Sequence, residues 1–145
     1  MKQKQTLTLL LLLAIPLLGF AQEIKMIKDW SQAKEQAEKE NKKILIILTG
    51  SEWCAPCKKM DKNVLATPEF RQYAEEHLIL FLVDLPGGGL VMNSQVYQDY
   101  MRFKKEYQTD ALPSLVLVDK TGGKIKTLTG RMFNLENVLS QLKEG

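Results

Sequence analysis

Two thiols stand three positions apart in the stretch Glu52-Trp53-Cys54-Ala55-Pro56-Cys57-Lys58, and they are the only cysteines among 145 residues. Such a pair could be a structural bridge, half a metal site, or a redox couple that opens and closes one disulfide. Zinc asks for four protein ligands, or three and a water. The chain has no second cysteine pair, and its single histidine, His77, falls at the far end of another expected helix. No metal and no organic cofactor is therefore expected. A purely structural bridge gains little, because so short a loop loses little entropy on closure. Redox use needs one thiol of lowered pKa to attack and a second within reach to resolve the mixed disulfide. The spacing satisfies this if Cys54 caps a helix, where unpaired amides and the positive end of the dipole favour the thiolate. Cys57 then lies one turn inside, more buried and longer protonated. Pro56 falls in the first turn, where a missing N–H costs little. Cys54 is read as the attacking nucleophile and Cys57 as the resolving thiol.

The elements around the pair must supply a strand ending just before it. Residues 44–48 are five continuous apolar residues, mostly β-branched, which suits a central strand covered on both faces. Ahead of them, residues 24–27 alternate as a short strand, and Asp29 or Ser31 can cap a helix to about Asn41. After the thiols, a helix would carry Cys57, Met60, Asp61 and Val64 along one side and end near Ala66. Thr67-Pro68-Glu69 signals a fresh helix start. Residues 78–83 form a second apolar run. Pro86-Gly87-Gly88-Gly89 reads as a flexible connection, and 94–107 as a helix with Val96, Tyr100, Phe103 and Tyr107 on one face. Residues 115–118 and 124–128 form a hairpin about Thr121-Gly122-Gly123. Asn134 caps a last helix, with Leu135, Val138, Leu139 and Leu142 inward. The fold class is α/β, a mixed central sheet with helices on both faces. The thiols lie at the carboxyl end of a middle strand, where open α/β sheets place their chemistry.

The N-terminus carries an address. Lys2 and Lys4 precede an apolar run over 7–18, and Gly19-Phe20-Ala21 places small residues three before and one before a cut. Residues 1–21 are expected to be a cleaved signal peptide and 22–145 a single domain. Losing Lys2 and Lys4 lowers the formal charge from +3 to +1, which gives no case for nucleic-acid binding. The lysines of 34–43 alternate with glutamates, as on a solvated helix face. A secreted or periplasmic location lets disulfides form and persist.

Strand, "EWCAPCK", helix, then "ALPS" before a further strand: the chain resembles the thioredoxin superfamily over nearly all of 24–145. Trp53-Cys54-Ala55-Pro56-Cys57-Lys58 looks like its motif, with alanine for the first central glycine. Leu112-Pro113-Ser114 looks like its cis-proline loop, which implies a cis Leu112-Pro113 bond facing the thiols and backbone offered to a bound peptide. Lys42-Lys43, "CKKMDKNVLATPEF" and the "GGK" hairpin are similar to secreted proteins related to the periplasmic C-terminal domain of DsbD-type thiol conductors. The resemblance implies a monomeric thiol–disulfide oxidoreductase acting on protein disulfides and recycled by a thiol donor such as a membrane thiol conductor. It also implies that Trp53 shields the site and packs against substrate. Many thioredoxins hold a buried aspartate six positions before the first cysteine, where this chain has Leu48. Asp61, four residues beyond Cys57, is the candidate for proton transfer in its place. Glu52 and Lys58 flank the pair and read first as ordinary surface charges, with tuning of its pKa in opposite directions as the alternative.

The central Ala55-Pro56 lacks the histidine of strong family oxidants, which tilts the reading toward a reductase. The alternatives are a disulfide oxidase or isomerase, or a peptide-binding, chaperone-like module without redox turnover.

Overall fold

The computed structural model describes residues 24–87, 92–130 and 133–145. The expected signal peptide and part of the glycine-rich connection lie outside these residues. In chain order the elements are β1 (Met26–Ile27), α1 (Trp30–Glu40), β2 (Lys43–Thr49) and α2 (Ala55–Met60) with a π-helical turn over Asp61–Leu65. There follow α3 (Pro68–His77), β3 (Leu78–Asp84), α4 (Gln95–Tyr107), β4 (Ser114–Val118), β5 (Lys124–Thr129) and α5 (Leu135–Lys143). None of the described helices is long and apolar enough to cross a membrane.

Five strands form one sheet in the order β1-β3-β2-β4-β5, which puts β2 at the centre. β1 and β3 pair in parallel, as do β3 and β2, while β4 runs antiparallel to both β2 and β5. The apolar run of β2 is explained by alternation. Leu45 and Ile47 point into one core with Met60, Val64, Phe70, Val138 and Leu142. Ile44, Ile46 and Leu48 point into the other with Ala33, Ala37, Phe103 and Tyr107. Helices α2, α3 and α5 thus cover one face and α1 and α4 the other. Each fully buried Leu or Ile in these layers contributes about 1.5–3 kcal/mol of transfer free energy.

Local signals set the helix ends. Asp29, not Ser31, caps α1, its Oδ1 accepting from the Gln32 amide at 2.7 Å. Asn41 ends that helix in the left-handed region, a conformation asparagine tolerates better than most residues. Thr67 and Asn134 cap α3 and α5 through the amides of Phe70 and Asn137. Tyr107, at the end of α4, donates its hydroxyl to the Gly122 carbonyl at 2.9 Å and so ties the β4–β5 hairpin to the helix. Burial pushes its phenol pKa far up and keeps that donor protonated.

Two local expectations shift. The first strand is shorter than expected, since only Met26 and Ile27 find partners, Leu80 and Phe81. The helix after the thiols does not run regularly to Ala66. After Met60 it widens into the π-helical turn, and the Ala66 amide reaches back to the Asp61 carbonyl at 2.8 Å.

Candidate active site

β2 ends at Thr49, and five residues later Cys54 caps α2. A tight turn fills the gap, with the amides of Trp53 and Cys54 both donating to the Gly50 carbonyl, at 3.2 and 2.9 Å. Cys54 is extended (φ −86°, ψ 105°), and its sulfur accepts the Cys57 amide at 3.3 Å. A donor aimed at that sulfur favours the charged thiolate over the thiol. The two sulfurs are bonded to each other, with Cα atoms 5.2 Å apart. Pro56 lies in the first turn of α2, where no intrahelical donor is lost.

The cysteines differ in access. Cys54 is 7% exposed and Cys57 is 0% exposed, so an incoming sulfur has a route only to Cys54. Trp53, next to Cys54, is 51% exposed, its Nε1 donating to the Leu85 carbonyl at 2.9 Å. Gly50 makes this possible, because a Cβ there would come within 2.6 Å of the indole.

The Leu112-Pro113 peptide bond is cis. Pro113 is buried and Leu112 half-buried, and Leu112 packs on the α1–α4 core. Beneath the loop, Ser114 Oγ donates to the Ala111 carbonyl and shares a 2.6 Å hydrogen bond with Thr109 Oγ1. Ser114 pairs with Leu48 across the sheet, so the position where many thioredoxins hold an acid is filled by a fully buried aliphatic side chain. Met60 and Val64 share the buried side of the helix with Cys57, but Asp61 does not. Its amide reaches the Cys57 carbonyl while its side chain is exposed to solvent. Lys58 is exposed too. His77 sits exposed at the end of α3, 3.6 Å from Glu76.

Sequence reasoning missed the neighbour of this turn. The end of β3 and the loop after it lie along residues 49–53, with Asp84, Leu85 and Gly87 bonded to Ser51, Thr49, Trp53 and Glu52. A signal was present: in two parallel central strands Thr49 and Asp84 end side by side, and an acid closing an apolar strand there invites a donor.

The profile of the thioredoxin-like domain matches residues 30–145. The chain belongs to the thioredoxin-like family. Among its relatives is a disulfide bond reductase, DsbH, of Chlamydia pneumoniae, 32% identical over 95 residues. That match covers 66% of this chain and 57% of the Chlamydia protein, little more than half its length. A solved DsbH oxidoreductase superposes with a TM-score of 0.70 at 24% identity, covering 86% of this chain and 90% of that one. The oxidised C-terminal domain of Neisseria meningitidis DsbD superposes with a TM-score of 0.60 at 19% identity, covering 83% and 98%. Both superpositions concern the fold. Within this thioredoxin-like frame, a bridged pair with one reachable sulfur has the geometry that thiol–disulfide exchange needs.

Proposed function

We propose that this chain is a secreted or periplasmic disulfide reductase, working as one thioredoxin-like domain over 22–145 after removal of 1–21. The observation that carries the reading is the unequal access of the two sulfurs, together with the amide aimed at the reachable one. In the reduced protein the Cys54 thiolate attacks a disulfide of a protein substrate. A bond forms from Cys54 Sγ to one substrate sulfur, and the other substrate sulfur leaves as thiolate and takes a proton. Cys57 then loses its proton and attacks Cys54 Sγ. The mixed disulfide breaks, the second substrate thiol is released, and the Cys54–Cys57 bridge remains. Two electrons have passed to the substrate, and a dithiol donor must return them. A membrane thiol conductor is the donor class the DsbD likeness suggests. Trp53, Leu112 and Pro113 are assigned to substrate docking, with Pro56 holding the helix start. The test is direct: with dithiothreitol as donor, the protein accelerates reduction of a protein disulfide such as that of insulin. A rate equal to dithiothreitol alone overturns the reading and leaves a peptide-binding module.

Proton removal from Cys57 is assigned to Asp61. The strand position six before Cys54 holds Leu48, fully buried and aliphatic, whereas Asp61 follows Cys57 by one turn with its side chain exposed. Asp61→Asn is expected to slow formation of the Cys54–Cys57 bridge by about tenfold, less than a fully buried base supplies because solvent shares the work. Dithiol oxidation rates followed across pH check this. A profile identical to that of the unaltered protein removes Asp61 from the mechanism.

A further inference from the structure

We propose that Asp84 is a positioning residue that sets the redox poise of the Cys54–Cys57 pair by holding Ser51. Where Cys54 sits depends on the turn over residues 50–53, since Cys57 is already fixed by α2 and full burial. Internal hydrogen bonds of that turn converge on a single acceptor, the Gly50 carbonyl. The remaining restraint comes from across the sheet. Asp84 Oδ1 accepts the Ser51 amide at 2.7 Å, and Oδ2 accepts the Ser51 hydroxyl at 2.5 Å. Both carboxylate oxygens thus grip one residue at the centre of the turn. Three further bonds continue the clamp on either side. The Leu85 amide donates to the Thr49 carbonyl at 2.9 Å, Trp53 Nε1 to the Leu85 carbonyl at 2.9 Å, and the Gly87 amide to Glu52 Oε2 at 2.9 Å.

Ring closure between two thiols depends on the effective concentration of one at the other, which rigid placement raises. A clamped turn therefore favours the disulfide and makes the reduced pair a stronger reductant. Releasing it leaves α2 and Cys57 in place but lets Cys54 wander. The disulfide then becomes easier to reduce, and Cys57 resolves mixed disulfides more slowly.

Asp84→Ala, Asp84→Asn and Ser51→Ala separate position from charge. Asparagine can keep both bonds, its Oδ1 accepting from the amide and its Nδ2 donating to Ser51 Oγ, while it removes the negative charge. Each variant is equilibrated with glutathione buffers and its dithiol fraction read by alkylation and mass. Asp84→Ala is expected to lower the equilibrium constant for disulfide formation about tenfold, which is a potential less negative by about 30 mV. Asp84→Asn is expected to stay near the unaltered protein. Ser51→Ala loses one of the two bonds and is expected to move in the same direction by about threefold, and it decides the matter if Asp84→Ala does not fold. Asp84→Asn shifting as far as Asp84→Ala would show that charge, not position, acts. Unchanged poise in Ser51→Ala and Asp84→Ala alike would remove the clamp from the chemistry. The inference rests on the exchange reading only in that the bridge opens and closes. The glutathione equilibrium involves no protein substrate, so failure to reduce insulin and failure of the clamp are seen separately.

Discussion

Cys54→Ser is expected to abolish turnover of a protein disulfide, leaving only the rate given by the donor alone. Cys57 does not take over as nucleophile. It is completely buried, one turn inside α2, whereas Cys54 is the sulfur that a substrate reaches. A serine hydroxyl at the helix cap can still accept the Cys57 amide, so the turn and the helix persist and the loss is chemical rather than structural. Thermal unfolding of the variant, set beside the reduced form of the unaltered protein, separates the two. In the unaltered protein the rate is expected to rise with pH as the Cys54 thiol ionises, because the thiolate attacks. The amide aimed at that sulfur favours the thiolate, so the rise is expected to level off below about 8.5, the value of a free thiol.

Cys57→Ser has the opposite signature. The first attack proceeds, since Cys54 keeps its place and its access. The second cannot, because serine offers no thiol to displace the substrate. A covalent Cys54–substrate disulfide therefore accumulates, close to one per protein molecule when substrate is in excess, and dithiothreitol releases it. Non-reducing gels and intact mass measure it. Adducts that form equally with Cys54→Ser, or with neither variant, contradict the assigned roles.

Much of this was legible beforehand for physical reasons. Residues 44–48 and 78–83 announce central strands because both sheet faces are covered, which leaves no position for a polar residue. Cys54 as cap and Cys57 as buried neighbour follow from three-residue spacing at a helix start. The capping roles of Thr67 and Asn134 are local and read locally. What escaped depends on distance or on chain direction. Nothing in 94–107 states whether the strand after it runs with or against β2. That depends on where α4 delivers the chain, and β4 proves antiparallel to β2. The π-helical turn is decided by packing on the sheet rather than by propensity. Helical spacing alone put Asp61 on the side of Cys57, Met60 and Val64, yet it is those three that reach the core. The clamp joins Ser51 to Asp84 across 33 positions, and only the parallel register of β2 and β3 brings them together.

The reduction potential of the Cys54–Cys57 pair, measured against glutathione, tests the reductase reading most directly. A pair that gives electrons to substrate disulfides is predicted to lie near thioredoxin's value of about −270 mV. A value near −120 mV, the poise of a strong disulfide donor, would reverse the flow of electrons and contradict it.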